Sequence, residues 1–201
     1  MDKEKELRLI LIFSILYLIF FISLAIIRQN YEFVFYIIVI CLITIITILH
    51  HKQLHLRPAI VGGLSVMGFM HLAGGNLYFN EVRLYDIYIF QNFIRYDQIV
   101  HTLGFFVATF VSYSLIRPYL DLRIKHHPLV LSIILILTAS GFGALNEVME
   151  FGAVLFLGAA KAVGDYYNNA WDLVFNMLGS IIACFFIHPY HKKQIKKIGL
   201  E

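Results

Sequence analysis

Apolar residues along the chain fall into six long runs that are separated by short polar segments. A run of about 20 apolar residues crosses the ~30 Å hydrocarbon core of a bilayer. Runs of this kind cover residues 9–27, 33–49, 58–74, 97–116, 129–157 and 170–187. Glycines dilute the third run, and the fifth is long enough to tilt or to protrude at one end. The pattern predicts an all-α polytopic membrane protein with six transmembrane helices in one bundle.

The composition agrees with this interpretation and limits the alternatives. The 201-residue chain is 60% hydrophobic and 14% charged, whereas a soluble domain is about 45–50% apolar and about 25% charged. Because the runs recur almost to the C-terminus, residues 1–201 are predicted to form a single integral membrane domain. Cys41 and Cys184 lie within runs, so we expect small buried side chains rather than a disulfide. A net charge of +3 without a basic, aromatic-rich patch argues against nucleic acid as a partner.

The basic residues predict the orientation in the membrane. If the N-terminus is cytoplasmic, twelve of the sixteen Lys and Arg residues fall on the cytoplasmic side. Since Lys and Arg accumulate in cytoplasmic loops, we expect a multi-pass protein of the plasma membrane with both termini cytoplasmic. The twelve residues are Lys3, Lys5, Arg8, Lys52, Arg57, Arg117, Arg123, Lys125, Lys192, Lys193, Lys196 and Lys197.

In this orientation, polar residues of four spans lie at the same extracytoplasmic depth. A charged side chain in hydrocarbon costs roughly 2.5–3.5 kcal/mol, so these residues need a compensating environment, and their convergence would provide it. They are His71 in the third span, Asp97 and His101 in the fourth, Glu147 and Glu150 in the fifth, Asp172 and Asn176 in the sixth, and Asp165 just before the sixth.

The spacing of these residues predicts a shared site. Asp97 and His101 are four residues apart, so they project from one face of their helix. The same holds for Glu147 with Glu150, three residues apart, and for Asp172 with Asn176, four residues apart. Carboxylates crowded in a water-poor site must share protons, pair with histidine or bind a cation. Carboxylate and imidazole ligands from facing helices suit Mn, Fe, Zn or Mg, so we expect a divalent metal of unidentified kind. The candidate metal ligands are His71, Asp97, His101, Glu147, Glu150 and Asp172; the candidate catalytic residues are His101, Glu147 and Glu150; the candidate supporting residues are Asp165 and Asn176.

Each of these residues also has a purely structural interpretation. Asp97 and Asp172 could place negative charge at helix N-termini, where the macrodipole favours it. His71 could form an interhelical hydrogen bond, and Asn176 could serve helix packing. The two glutamates of the fifth span are the hardest to explain in this way, because neither begins a helix and no Lys or Arg lies beside them. Intramembrane ionisable groups of this kind favour a functional site.

The connection between the third and fourth spans has two interpretations. Its residues Leu84, Ile87, Tyr88 and Phe90 could form an interfacial helix that covers the polar residues from the outer leaflet. The same residues could instead belong to an aromatic-belt loop. A substrate with a lipid tail and a polar head would suit a site beneath such a cover.

Three segments, YDQIVHTLGFF, NEVMEF and GDYYNNAWDLVFNMLGS, resemble in order the YjdF-like family of uncharacterised inner-membrane proteins. The resemblance extends over residues 60–187. It implies a site formed by His71, Asp97, His101, Glu147, Glu150, Asp165, Asp172 and Asn176. More loosely, the order of these residues is similar to that of VanZ-like proteins, which are linked to glycopeptide resistance at the cell envelope. Glu150 stands where that family has a glutamine. Neither family implies an established reaction.

Three functions remain open. The first is a metal-assisted or acid/base site that acts on a lipid-linked or cell-envelope substrate, which leaves open whether the protein is an enzyme. The second is a cation- or proton-coupled transporter, and the third is a non-catalytic envelope-support protein with a structural polar network. A transporter should show internal repeats and polar residues at the membrane midplane, and neither is clear in this sequence. The expected partners are membrane lipid and a lipid-linked substrate.

Overall fold

Six long apolar helices dominate the fold. The computed structural model describes residues 2–50, 53–90, 93–120, 124 and 127–197. Within these residues, six helices are long and apolar enough to cross a membrane, which confirms the predicted all-α fold with six membrane spans. They are α1 (Lys3–Ile27), α2 (Tyr31–His50), α3 (Pro58–Asn76), α4 (Tyr96–Ile116), α5 (Pro128–Leu157) and α7 (Tyr166–Lys197), with the one-turn helix α6 (Ala160–Val163) between the last two.

Local chemistry sets the ends of these helices. Pro58 and Pro128 occupy the first turns of α3 and α5, where the missing proline N–H would have no helical partner anyway. Gly158 ends α5 with a φ of 68°, a left-handed conformation that glycine adopts without a steric penalty. The helix α7 begins four residues before its predicted start, because Asp165 Oδ1 accepts a hydrogen bond from the Asn168 backbone N–H at 3.0 Å.

The close packing of α4 and α7 organises the polar end of the bundle. These two helices make the most extensive helix contact, and α5 packs against α7. Gly179 of α7 lies directly against the backbone of α4, where an added Cβ would overlap the Thr102 carbonyl oxygen. By contrast, α2 makes few contacts with α3 and α5. Large apolar side chains on the outer helix faces, such as Leu16, Leu137 and Phe185, are 63–72% exposed, as lipid-facing residues are.

The connection between α3 and α4 is a pair of small hairpins, so the interfacial-helix interpretation is wrong. Strand β1 (Tyr78–Phe79) pairs with β2 (Val82–Arg83), and β3 (Tyr88–Phe90) pairs with β4 (Ile94–Arg95). A 3-10 turn at Leu84–Asp86 joins the two hairpins.

Backbone and side-chain preferences explain this outcome. Asn80 and Glu81 both have positive φ, 48° and 65°, and a two-residue loop of this kind reverses the chain in a hairpin. The run Tyr88–Phe90 consists of aromatic and β-branched residues, which favour strands. Its side chains are exposed, as the aromatic-belt interpretation requires. Tyr85, in the 3-10 turn, is instead buried against the bundle.

The orientation and the single-domain organisation stay predictions. Of the basic residues on which the orientation depends, Lys52, Arg123 and Lys125 lie outside the described residues. Cys41 and Cys184 are free thiols.

Candidate functional site

Acidic and histidine side chains from three helices meet at the end of the bundle where α4 and α7 begin. We call Asp97 and His101 of α4, Glu147 and Glu150 of α5, and Asp172 of α7 the carboxylate–histidine cluster, and this end of the bundle the cluster end. Two groups within the cluster could each hold a metal ion, because in each group the ligand atoms lie within 4.8 Å of one another. The first group is Asp97, His101 and Asp172; the second is Glu147, Glu150 and Asp172.

His101 is the centre of the first group. Its Nε2 atom lies 3.5 Å from Asp97 Oδ1 and 3.6 Å from Asp172 Oδ1. Asp97 and His101 share one face of α4, as their spacing predicts. Asp172 is only 2% exposed, and it lies in the second turn of α7 because that helix starts at Tyr166. The macrodipole acts mainly within the first turn, so this position does not fit the helix-terminus interpretation of Asp172.

Asn176 orients the His101 ring. His101 Nδ1 lies 2.9 Å from Asn176 Oδ1, and an amide oxygen only accepts hydrogen bonds, so Nδ1–H donates. The Nε2 atom is therefore the ring nitrogen that faces the two carboxylates. Asn176 itself is buried, and a Cβ at Gly143 of α5 would lie 3.0 Å from its Nδ2 atom. The absence of a side chain at Gly143 leaves the room that Asn176 occupies.

The second group brings three carboxylates together. Asn146 Nδ2 donates to Glu150 Oε1 at 2.8 Å, and Asn168 Nδ2 donates to Asp172 Oδ2 at 2.9 Å. Both carboxylate oxygens of Glu147 are buried, and neither has a hydrogen-bond partner among the described residues. A buried polar atom without a partner is costly. This part of the cluster therefore calls for a proton or a cation.

Besides Asn176, two predicted site residues lie outside both groups, His71 and Asp165. His71 Nδ1 is 2.5 Å from the Tyr85 hydroxyl oxygen, and its ring packs beside Phe33 and Tyr36. Burial, together with the nearby Asp97 charge, raises the pKa of Tyr85 well above its ordinary value, so the hydroxyl stays protonated and hydrogen bonds to His71 Nδ1. Asp165 is exposed and caps α7, so it supports the cluster only through the start of the helix that carries Asp172.

Three contributors were missed in the sequence: Asn146, Asn168 and Tyr85. The two asparagines each stand four residues before the carboxylate that they contact, Glu150 and Asp172, so the helical spacing could have revealed them. No spacing rule could have revealed Tyr85, because it reaches His71 from the hairpin connection.

The cluster borders a cavity that is itself next to an open vestibule. The cavity has a volume of about 50 Å³ and is lined by His71, Tyr85, His101 and Asp172 among others. A space of this size accommodates an ion with a few waters. The vestibule, of about 590 Å³, shares Glu32 and Arg83 with the cavity wall. It is lined by Arg28, Asn30, Glu32, Gly75, Tyr78, Glu81 and Arg83.

Comparison with known proteins identifies a family. Over residues 9–193 the chain matches the family described as "Predicted membrane protein (DUF2238)". The match includes every residue of the carboxylate–histidine cluster. No curated protein and no solved structure matches the chain.

Proposed function

The chain belongs to the DUF2238 family of predicted membrane proteins, and from this premise we propose that its carboxylate–histidine cluster binds a divalent cation. We propose further that the cluster performs metal-assisted or acid/base chemistry on a lipid-linked or cell-envelope substrate.

One observation carries the proposal: His101 Nε2 faces two carboxylate oxygens at 3.5 and 3.6 Å. Nitrogen and oxygen ligands at about 2.0–2.1 Å from a tetrahedral ion are roughly 3.4 Å apart, so these separations suit a cation held between the three atoms. The hydrogen bond from His101 Nδ1 to Asn176 is the second interaction that a metal-binding histidine typically makes, and it leaves Nε2 as the ligand atom.

The second group extends the proposed site. Asp172 belongs to both groups, so Glu147, Glu150 and Asp172 could hold a further cation; where they hold none, Glu147 is available to take up a proton. Oxygen-rich ligands with one imidazole suit Mn, Fe, Zn or Mg.

The chemistry follows from the ligands and from Glu147. A cation at the cluster would polarise a phosphoryl or carbonyl oxygen of the substrate. In a hydrolysis, the oxygen of a water molecule would bond to the phosphorus or carbonyl carbon, and its proton would pass to Glu147. The bond to the departing oxygen would break as that oxygen takes up the proton from Glu147, which restores the carboxylate. Glu147 suits this role because neither of its oxygens has a hydrogen-bond partner among the described residues.

The location in the cell is part of the proposal. The excess of Lys and Arg on one side supports a plasma-membrane protein with both termini cytoplasmic, which would put the cluster near the extracytoplasmic surface. The motifs around Asp97, Glu147 and Asp172 support a YjdF-like assignment within the family.

Elemental analysis of the detergent-purified protein tests the metal. We expect stoichiometric divalent metal in the wild type and its loss in Asp172→Asn, because this residue serves both groups. Asp2→Asn is the control, since Asp2 is exposed just before the first residue of α1. This variant should keep the metal. A wild type that neither retains metal nor binds Mn, Zn or Mg in a calorimetric titration would contradict the proposal and leave a proton-sharing or structural network.

A further inference from the structure

A second cavity, almost wholly apolar, lies between α1, α2, α3 and α5 and has a volume of about 490 Å³. We call it the apolar groove. Its walls include Ile10 of α1, Ile43 of α2, Val61 of α3 and Met149 of α5. The groove exists because α2 packs only loosely against α3 and α5.

Three hydroxyl groups along the groove have partners within the protein, whereas the buried Tyr36 hydroxyl, at the cluster end of the groove, has no hydrogen-bond partner among the described residues. Ser14 and Ser65 lie 2.6 Å apart and hydrogen bond to each other. Thr47 donates to the backbone carbonyl of Ile43 at 2.8 Å. Ser14, Ser65 and Thr47 therefore need no hydrogen bond from a ligand. Most of the length of the groove presents apolar surface.

The groove ends at the carboxylate–histidine cluster. Tyr36, Met67, His71 and Asn146 line both the groove and the cluster cavity, so the two spaces adjoin. Along α2 the groove extends from Tyr36 to Ile48, which at 1.5 Å per residue is roughly 18 Å, more than half of the ~30 Å hydrocarbon core. One end of the groove thus adjoins the cluster, Arg8 lines its wall near the start of α1, and most of the remaining wall is apolar.

We propose that the apolar groove holds one hydrocarbon chain of the lipid substrate, with the polar head of that lipid at the cluster. The chemistry at the head rests on the proposed function, whereas binding of the chain does not. Ile43, which lines the groove, is 51% exposed on a helix that is long and apolar enough to cross a membrane, so a chain that enters from the bilayer would contact it. Apolar space left empty would forfeit the dispersion contacts of its walls, and a hydrocarbon chain restores them.

Photo-crosslinking in vesicles tests the groove. The full chain is reconstituted into vesicles of phosphatidylglycerol and phosphatidylethanolamine that contain a phospholipid with a mid-chain diazirine, and the labelled peptides are mapped after irradiation. We expect labelling to concentrate on groove residues of α2 and α3, above the level on lipid-facing residues such as Leu16.

Matched variants make the test specific. Ile43→Trp and Val61→Phe fill the groove from opposite walls, and Ile45→Trp and Val66→Phe place the same bulk outside it, since these two residues do not line it and are 51% and 50% exposed. Displacing about two methylenes of a bound chain should lower groove labelling by roughly tenfold. The two control variants should label as the wild type does.

The outcomes separate this inference from the proposed function. Even labelling over all lipid-facing surfaces, or equal labelling in all four variants, would overturn the groove proposal even if the protein holds metal. Concentrated labelling that only the groove-filling variants abolish would support it, even if elemental analysis finds no metal.

Discussion

His101 at the cluster end differs in its partners from the histidines at the opposite end of the bundle. His71, also at the cluster end, pairs with a hydroxyl as those histidines do. At the opposite end, His191 Nδ1 lies 2.7 Å from the Tyr113 hydroxyl, and His188 Nε2 lies 2.7 Å from the Ser132 hydroxyl. At the cluster end, His101 faces two carboxylates and is oriented by an amide. A hydroxyl gives one histidine ring nitrogen a neutral hydrogen bond, whereas two carboxylates create a negative site that a cation would complete. The identity of the partner, more than burial of the ring, distinguishes a candidate site from a packing contact.

The strongest test of this comparison removes one histidine from each end. We expect His101→Gln to weaken divalent-metal affinity by more than about 100-fold, beyond the 10–100-fold that is typical for loss of a supporting residue. His188→Gln should leave the affinity unchanged, because its partner is Ser132. Calorimetric titration with Mn or Zn measures both variants, and equal affinities would remove the distinction between the two ends.

A second test acts on the close contact between α4 and α7 at Gly179. Gly179→Ala should lower the free energy of unfolding by about 1–3 kcal/mol, because the new Cβ would overlap the Thr102 carbonyl oxygen. Gly152→Ala on α5 has nothing within 4 Å of the added Cβ, so it should not destabilise the protein. Unfolding followed by circular dichroism in detergent compares them. If Gly179→Ala unfolds with the same free energy as the wild type, the backbones of α4 and α7 are not in direct contact at this residue.

A third test concerns the amide that orients His101. We expect Asn176→Ala to weaken metal affinity by about 10–100-fold, because the ring loses the partner of its Nδ1–H. Ser132→Ala removes the corresponding partner of His188 at the opposite end and should leave metal affinity as it is. If both variants bind metal as the wild type does, Asn176 serves packing only.

The smallest expected effect is at Gly143. A Cβ there would lie 3.0 Å from Asn176 Nδ2, so Gly143→Ala should push Asn176 slightly and weaken metal affinity by less than about tenfold. Gly141→Ala adds a Cβ into open space on the same helix and should have no effect on the metal. The same titration compares the two, and a loss in Gly141→Ala of equal size would place the cause in α5 rather than at Asn176.

Run length and helical spacing explain what the sequence could predict. The length of the apolar runs predicted the six spans, and helical spacing placed Asp97 with His101 and Glu147 with Glu150 on common helix faces. It did not separate His71 from the two metal-binding groups, because that separation depends on the Tyr85 hydroxyl. The hairpins of the connection depend on positive φ at Asn80 and Glu81, which an aromatic-rich pattern does not reveal.

The apolar groove could not be read from the sequence at all. Ile43 and Ile45 are the same residue type with the same exposure, yet only Ile43 lines the groove. Two residues apart on a helix, they lie on nearly opposite faces, and which face of α2 borders unfilled space depends on how its neighbours pack, which hydrophobic periodicity does not encode.

The backbone contact at Gly179 also limits how the protein can move. Since α4 and α7 touch there without an intervening side chain, His101 and Asp172 belong to one rigid body that cannot slide without breaking close packing. Opening the site would instead displace α5, which carries the two glutamates, or lift Tyr85 away from His71. The half of the cluster on α4 and α7 therefore stays preassembled.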